Sequence, residues 1–296
     1  MLARHPRAIV PSHGYKPDIV LSILNVPQRL ACLSTCHSWY RETLQLRLLE
    51  AIDKRVLRGF EHVAAVSGEI FDELARHGIA PQRLSLITNG ISTPRASADA
   101  RKQIRELLAL PPDAKLVVQI GRLTRSKRND LLIAAAAKLA ESDGVHVLFV
   151  GEGDQSKALA KQVAEMGLEK RVRFWGYRED IPQVLAAADL LALTSDKEGL
   201  PIVLLEAMAL QCPIVSTSVG EIPRALRDGQ DGWLVPPEDL GALTTAIRDA
   251  LAQPQLAKQR AANAQQEFLR RFSREAMGKR YLEIYEQAWA SRGWAQ

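Results

Sequence analysis

The chain has 296 residues, 47% of them hydrophobic and 25% charged, which excludes a disordered polypeptide and by length alone suggests two domains. The formal charge is +5, and +4 of it falls in residues 1–96, where twelve Lys/Arg stand against eight Asp/Glu; an anionic surface or substrate would feel that excess, and nucleic acid is not an expected partner. No long apolar run follows the opening Met1–Arg7, so the start reads as neither a secretion signal nor a spanning helix, and a cytoplasmic protein is expected.

In chain order, Ala8–Val10, Leu30–Ser34 and His62–Ser67 are short apolar runs that read as strands. Helical periods over Pro17–Leu24, Glu42–Leu57 and Glu69–His77 separate them. Between Arg41 and Phe60 the apolar residues 44, 48, 49, 52, 56 and 60 alternate with Arg47, Lys54, Arg55 and Arg58. That pattern reads first as a core-facing helix and second as a helix lying on a membrane surface. Cys32, Cys36 and His37 are too few for a closed zinc site, and with Cys212 the cysteines read as buried thiols in a reducing compartment. After a strand at Leu84–Thr88, the Ser/Thr/Pro/Ala stretch Ile91–Ala100 reads as a linker, giving domains over 1–92 and 93–296.

From there the rhythm strengthens. Leu116–Ile120, Val145–Val150, Val172–Trp175, Leu190–Thr194 and Pro213–Thr217 are apolar throughout, as strands buried on both faces require. Asp130–Glu141, Ser156–Met166, Pro201–Leu210 and Leu240–Ala252 carry helical periods, and Gln255–Trp294 reads as two or more helices. Strand–helix alternation of this kind predicts an α/β fold with right-handed parallel sheets.

Three motifs sit where strand gives way to helix. Gly121-Arg122-Leu123-Thr124-Arg125-Ser126-Lys127 offers a close backbone approach, a new helix N-terminus and two cations, which together suit a diphosphate. Gly151-Glu152-Gly153 has Ser156 where a dinucleotide fingerprint needs a third glycine, so nicotinamide chemistry is disfavoured and a tight turn or a ligand-facing turn both remain open. In Glu198-Gly199-Leu200-Pro201-Ile202-Val203-Leu204-Leu205-Glu206, Pro201 suits the first helical position, with Glu198 in the loop before it and Glu206 inside the helix. Two carboxylates on the order of 10 Å apart can each accept hydrogen bonds from a diol, one on a hexose and one on a ribose. Paired carboxylates also serve glycoside hydrolysis, but Arg122 and Lys127 count against a substrate without phosphate. No Asp-x-Asp pair follows a strand, so neither a metal nor another cofactor is expected, and the two cations take the metal's electrostatic part. In the N-terminal third, His13-Gly14-Tyr15-Lys16 and His37-Ser38-Trp39 each follow a strand, on the side where such sheets bind ligands.

Taken together, Gly121-Arg122…Lys127, Gly151-Glu152-Gly153, Glu198-to-Glu206 with Ala207-Met208-Ala209, and Val219-Gly220-Glu221-Ile222-Pro223 make the chain from about Pro11 to Tyr285 resemble the family 4 glycosyltransferases. Looser matches are His13–Asp18, Ala65-Val66-Ser67 and Thr88–Ile91. The resemblance implies the GT-B arrangement: two Rossmann-like domains facing across a cleft, with closing helices returning to the first. It further implies hexosyl transfer with retention from a nucleotide diphosphate sugar, without metal, to a sugar or lipid-linked hydroxyl, in polysaccharide or glycolipid synthesis. Separately, the basic excess of the N-terminal third makes peripheral contact with the inner face of a membrane an expectation. By the same resemblance Arg122 and Lys127 hold the diphosphate, and Glu198 with the backbone of Gly199, Leu200 and Pro201 holds the hexose. Gly121, Gly151 and Gly153 line the donor, Glu206 holds the ribose, and His37 lies near the transferred sugar. Three departures stand out: Gly220-Glu221 where two glycines are usual, Lys127-Arg128 where Lys-Gly is usual, and an N-terminal domain lacking about 80 residues of its first part. The last implies an incomplete first sheet with an exposed edge, and makes a non-catalytic nucleotide-sugar-binding remnant, or one subunit of a split enzyme, the alternative. An epimerase or a hydrolase on the same fold is a third reading.

Overall fold

The computed structural model describes residues 7–37, 43–139 and 144–294. Glu42, Ser38-Trp39 and the last two residues of the Asp130–Glu141 reading lie outside them. The chain divides into two compact units, the described residues of Met1–Gly90 with Arg271–Gln296, and Ile91–Arg270. The first unit thus gives way at Gly90 and is rejoined from Arg271.

The first unit holds a parallel sheet in sequential order, β1 (Ile9–His13), β2 (Ala31–Cys36), β3 (His62–Ala65) and β4 (Leu84–Leu86). β1 runs three residues beyond the apolar Ala8–Val10, through Pro11, which an edge strand tolerates because one side of its backbone makes no ladder bonds. Helices α1 (Tyr15–Ile23), α2 (Leu44–Val56) and α3 (Gly68–Arg76) connect the strands. Alternation splits β2 between two cores. Cys32 and Cys36 pack with Leu57, Phe60, Ile70 and Leu74, while Ala31 and Leu33 pack with Ile284 and Ala288. The latter pair belongs to the last helix of the chain, α12 (Arg274–Ser291), which follows a π-helical turn at Phe268–Phe272. Thr43 and Ser67 cap α2 and α3 by accepting from the amides of Leu46 and Ile70.

The second unit opens with a helix inside the stretch read as a linker and its continuation, α4 (Ala100–Leu107). Its apolar signal is thin, a single stripe of Ala100, Ile104 and Leu108, each buried. Then come β5 (Lys115–Ile120), α5 (Asn129–Lys138), β6 (Val145–Val150), α6 (Ser156–Glu165), β7 (Val172–Phe174), α7 (Ile181–Ala187), β8 (Leu190–Leu193), α8 (Ile202–Ala209), β9 (Ile214–Thr217), α9 (Ile222–Ala225), β10 (Trp233–Val235), α10 (Leu240–Ala252) and α11 (Pro254–Glu267). β10, only three residues long, and α7 and α9 carry too short a period to stand out in the sequence. The sheet is parallel throughout, in the order β10-β9-β8-β5-β6-β7. Its core joins Val117, Phe149, Leu190 and Val215 from the strands to Leu132, Ile133, Leu243 and Ile247 from the helices.

Candidate functional site

The strand order of the second unit carries the geometry. From β5 the chain adds β6 and β7 on one side, then returns to pair β8 with β5 on the other. At such a reversal the connections leave the sheet in opposite directions, and a crevice opens beyond the strands' carboxyl ends. Gly121, Arg122 and Lys127 follow β5, Gly151 and Gly153 follow β6, and Glu198, Gly199, Leu200 and Pro201 follow β8. A cleft lined by Gly121, Arg122, Lys127, Ser195, Glu198 and Pro201 lies there.

Inside it Lys127 Nζ donates to Glu198 Oε1, with the two side chains 24% and 10% exposed. Ser195 Oγ donates to the same oxygen at 2.6 Å. Both bonds fall on Oε1, so Oε2 is the atom Glu198 can turn to a ligand. Buried polar side chains that sequence reasoning passed over hold this arrangement. Thr194 Oγ1 donates to the carbonyls of Lys127 and Arg128 at 2.9 and 2.8 Å, and Gln119 Nε2 donates to Lys127 O at 3.1 Å and to Thr194 Oγ1 at 3.0 Å. The Asp196 amide donates to Ser126 O at 3.0 Å. A signal existed: Gln119 and Thr194 are polar residues at the ends of otherwise apolar strand runs, and burial of such groups requires partners. Arg122, in contrast, is exposed and has no ionic or hydrogen-bonding side-chain partner among the described residues.

The glycines have a specific reason. A Cβ on Gly151, at φ 132°, would stand 2.0 Å from Gly121 O, and one on Gly153 would stand 2.1 Å from Leu123 O. The two loops lie backbone to backbone, joined by Leu123 N to Glu152 O at 2.9 Å and Gln155 N to Leu123 O at 3.0 Å. Close backbone contact therefore explains this pair without any ligand, the tight-turn side of the sequence reading. Gly220, at φ 58°, presses against the site itself, since its Cβ would fall 1.8 Å from Glu198 O. Gly199 meets nothing within 4 Å. Arg128 adopts φ 46°, a left-handed conformation that favours glycine, which accounts for the Lys-Gly expected there. Its guanidinium pairs with Asp130 at 3.2 Å and Glu238 at 2.7 Å, offsetting the strain.

Pro201 stands one position earlier than expected, capping α8 at φ −66° and ψ 131° instead of opening it. Glu206 lies half-buried in α8 with no side-chain partner among the described residues, and burial raises its pKa above the ordinary carboxylate range. On the β6 side of Arg122 a second cavity of about 420 Å³ is lined by Gly151, Glu152, Tyr177, Arg178 and Ile181. Arg178 stacks over Trp175 at 4.4 Å and is held by Asp180 at 2.6 and 2.7 Å, while Tyr177 is 70% exposed.

In the first unit His37 follows β2, and its Nε2 lies 3.3 Å from His13 Nδ1 at the end of β1. The rings are stacked at an interplanar angle of 26°. Burial, and secondarily the charge of His13, push the His37 pKa down. Beneath them Asp18 is fully buried on α1 and accepts from Ser12 Oγ and, at 2.7 Å, from Ser34 Oγ. Burial raises its pKa against the pull of Ser12, Ser34 and Asp53. The three cysteines are free and buried, and burial pushes Cys32 up to about 11 and Cys212 up to about 12, so none is a thiolate near neutrality. Among the described residues no group of three or more His, Cys, Asp or Glu could hold a metal ion, and no helix is long and apolar enough to cross a membrane.

Residues 100–267 match the family described as Glycosyl transferases group 1, and residues 1–95 match Glycosyltransferase Family 4. The chain belongs to the group 1 glycosyl transferases. It is similar to the lipopolysaccharide core biosynthesis glycosyltransferase LpsE of Rhizobium meliloti (strain 1021), 32% identical over 203 residues, or 69% of this chain and 58% of that protein. It is similar also to the D-inositol 3-phosphate glycosyltransferase of Mycolicibacterium smegmatis, 33% identical over 192 residues, or 62% of this chain and 44% of that protein. The chain thus spans about half the length of these relatives. Among solved structures, the Anabaena protein HepE in complex with UDP aligns with a TM-score of 0.81 at 25% identity, covering 94% of this chain and 78% of that one. The parallel α/β units are those of the GT-B glycosyltransferases.

Proposed function

We propose that this glycosyltransferase-family chain moves a hexosyl group from a nucleotide diphosphate sugar to a hydroxyl of a sugar or lipid-linked acceptor, with retention and without a metal. The observation that carries the reading is the charge arrangement at the β5/β8 reversal: an Arg122 unpaired among the described residues, beside a Lys127–Glu198 pair. The diphosphate lies against Arg122 and Lys127, whose positive charges do what a divalent cation would otherwise do. Glu198 Oε2 accepts from hexose hydroxyls, and Glu206 accepts from the ribose. The half-buried, partnerless state of Glu206 supports that role, because a diol would supply the hydrogen bonds its position lacks. The cavity beside Tyr177 and Arg178 takes the base. In the transfer step the bond from the sugar's anomeric carbon to the leaving phosphate breaks, and the acceptor oxygen bonds to that carbon from the same face. The acceptor's proton passes to the departing phosphate oxygen. The family resemblance assigns His37 a part in this transfer.

The exposed aliphatics Val20, Ile23 and Leu24 of α1 and its end, with Leu44 and Leu48 of α2 and the cation Arg55, support a peripheral contact with an anionic membrane. Calorimetry of the chain with UDP, GDP and ADP and their sugars tests the reading, with and without a chelator. One nucleotide should bind with unchanged affinity in chelator and support transfer with the anomeric configuration kept. UDP is the first to try, since HepE was solved with UDP and with UDP-glucose. Binding that needs metal, or an inverted product, would overturn it.

A further inference from the structure

We propose that His13 is the positioning residue of His37: it engages His37 Nε2, fixes the ring at the end of β2, and leaves Nδ1 as the nitrogen His37 offers to a ligand. The ligand-facing part rests on the transfer reading above, whereas the pairing rests on geometry alone. The two rings meet through His13 Nδ1 and His37 Nε2 at 3.3 Å. In the neutral pair one N–H fills that gap, whichever ring carries it, so His37 can meet anything else only through Nδ1 and His13 only through Nε2. A second proton would set two N–H groups face to face, so the pair holds one positive charge at most near neutrality.

The strands set this contact. β1 and β2 pair in parallel with His13 beside Thr35, which puts the end of β1 and the residue after β2 side by side. The Gly14 amide closes the turn by donating to Thr35 O at 3.1 Å. His13 acts electrostatically on Asp18 of α1, which is itself hydrogen-bonded to Ser12 of β1 and Ser34 of β2 and linked to Asp53 of α2. The polar network under the strands therefore holds both histidine-bearing strand ends in register.

The test is long-range ¹⁵N–¹H NMR of histidine-labelled full chain, with pH titration, on the parent, His13→Ala and His13→Asn. Asparagine keeps a polar atom near the Nδ1 position and alanine does not. The parent should show a hydrogen-bonded Nε2 at His37 with a midpoint below the ordinary value of about 6.5. His13→Ala should raise that midpoint and release the tautomer, and His13→Asn should restore the tautomer in part. A His37 tautomer and midpoint identical in the parent and His13→Ala would overturn the pairing. In transfer assays His13→Ala should lower kcat by about 10- to 100-fold with the nucleotide Kd unchanged, and the His13→Ala/His37→Ala double variant should be no slower than His37→Ala alone. Additive losses in the double variant would overturn the positioning role. The NMR arm needs neither donor nor acceptor, so it decides the pairing even if the transfer reading fails.

Discussion

The two parallel sheets solve different problems with the same strand–loop–helix grammar. In the second unit the order reverses between β5 and β8, and the charged side chains Arg122, Lys127 and Glu198 stand in the crevice that reversal opens. In the first unit the four described strands follow one another in sequence, without a reversal. Here a carboxyl lies inside instead: Asp18 is fully buried, hydrogen-bonded to Ser12 and Ser34 and linked to Asp53, while the pair His13 and His37 at the strand ends is exposed. Strand order thus goes with different strand ends: a charged crevice at the reversal of the second unit, and a pair of histidines at the ends of β1 and β2 in the first.

The largest effect expected from this contrast is on Arg122. On the proposed reading, replacing it with alanine would remove two charge-assisted hydrogen bonds to phosphate, about 3 kcal/mol in all, and should weaken nucleotide binding by about 100-fold in calorimetry. Affinity equal to the parent's would mean that the crevice does not hold its ligand by charge. Next is Glu198→Gln, which should slow turnover by about 30-fold and hardly alter the Kd of the free nucleoside diphosphate, because the proposal places Glu198 on the hexose and not on the nucleotide. Equal losses for nucleotide and donor would move Glu198 to the phosphate end.

A smaller loss, about 10-fold in nucleotide affinity, should follow Glu206→Gln. The sign on stability is opposite. Burial raises the folded-state pKa of Glu206, so its charge opposes folding at pH values above the ordinary 4.5, and the neutral variant should melt no lower than the parent at pH 7. A lower melting temperature would show that a partner stabilises the carboxylate.

The smallest effect sharpens the first unit. Burial raises Asp18 above 3.8, so the unfolded chain releases that proton first, and stability falls as pH rises through the interval from the ordinary value to the folded one. Asp18→Asn should therefore gain on the parent between pH 4 and pH 7, by about 1 kcal/mol or less in denaturant melts. A variant that instead loses ground as pH rises would mean that the network stabilises the charged form.

Much of the second unit was legible in advance because its strands are uniformly apolar and its motifs sit at strand ends. The runs Leu116–Ile120 and Val145–Val150 match β5 and β6 to within a residue. Less was legible where few residues carry the signal: α4 rests on one stripe at 100, 104 and 108, and β10 on three residues. Gln119 and Thr194 signalled only that each needs a partner, and which partner was not legible because the two lie 75 positions apart. For the same reason the need for glycine at 151 and 153 was not legible in advance: it lies in their closeness to the carbonyls of Gly121 and Leu123.

By itself the sequence determined the parallel α/β class, the strand-end positions of Gly121, Arg122, Lys127, Glu198 and His37, and the family, because these depend on local period and on residue type at fixed spacing. Only the tertiary structure decided that Lys127 and Glu198 share a proton-bearing contact, that His13 meets His37, and that Asp18 is buried between β1 and β2. Those are contacts between residues far apart in the chain, and their existence depends on strand order and register, which no local pattern encodes.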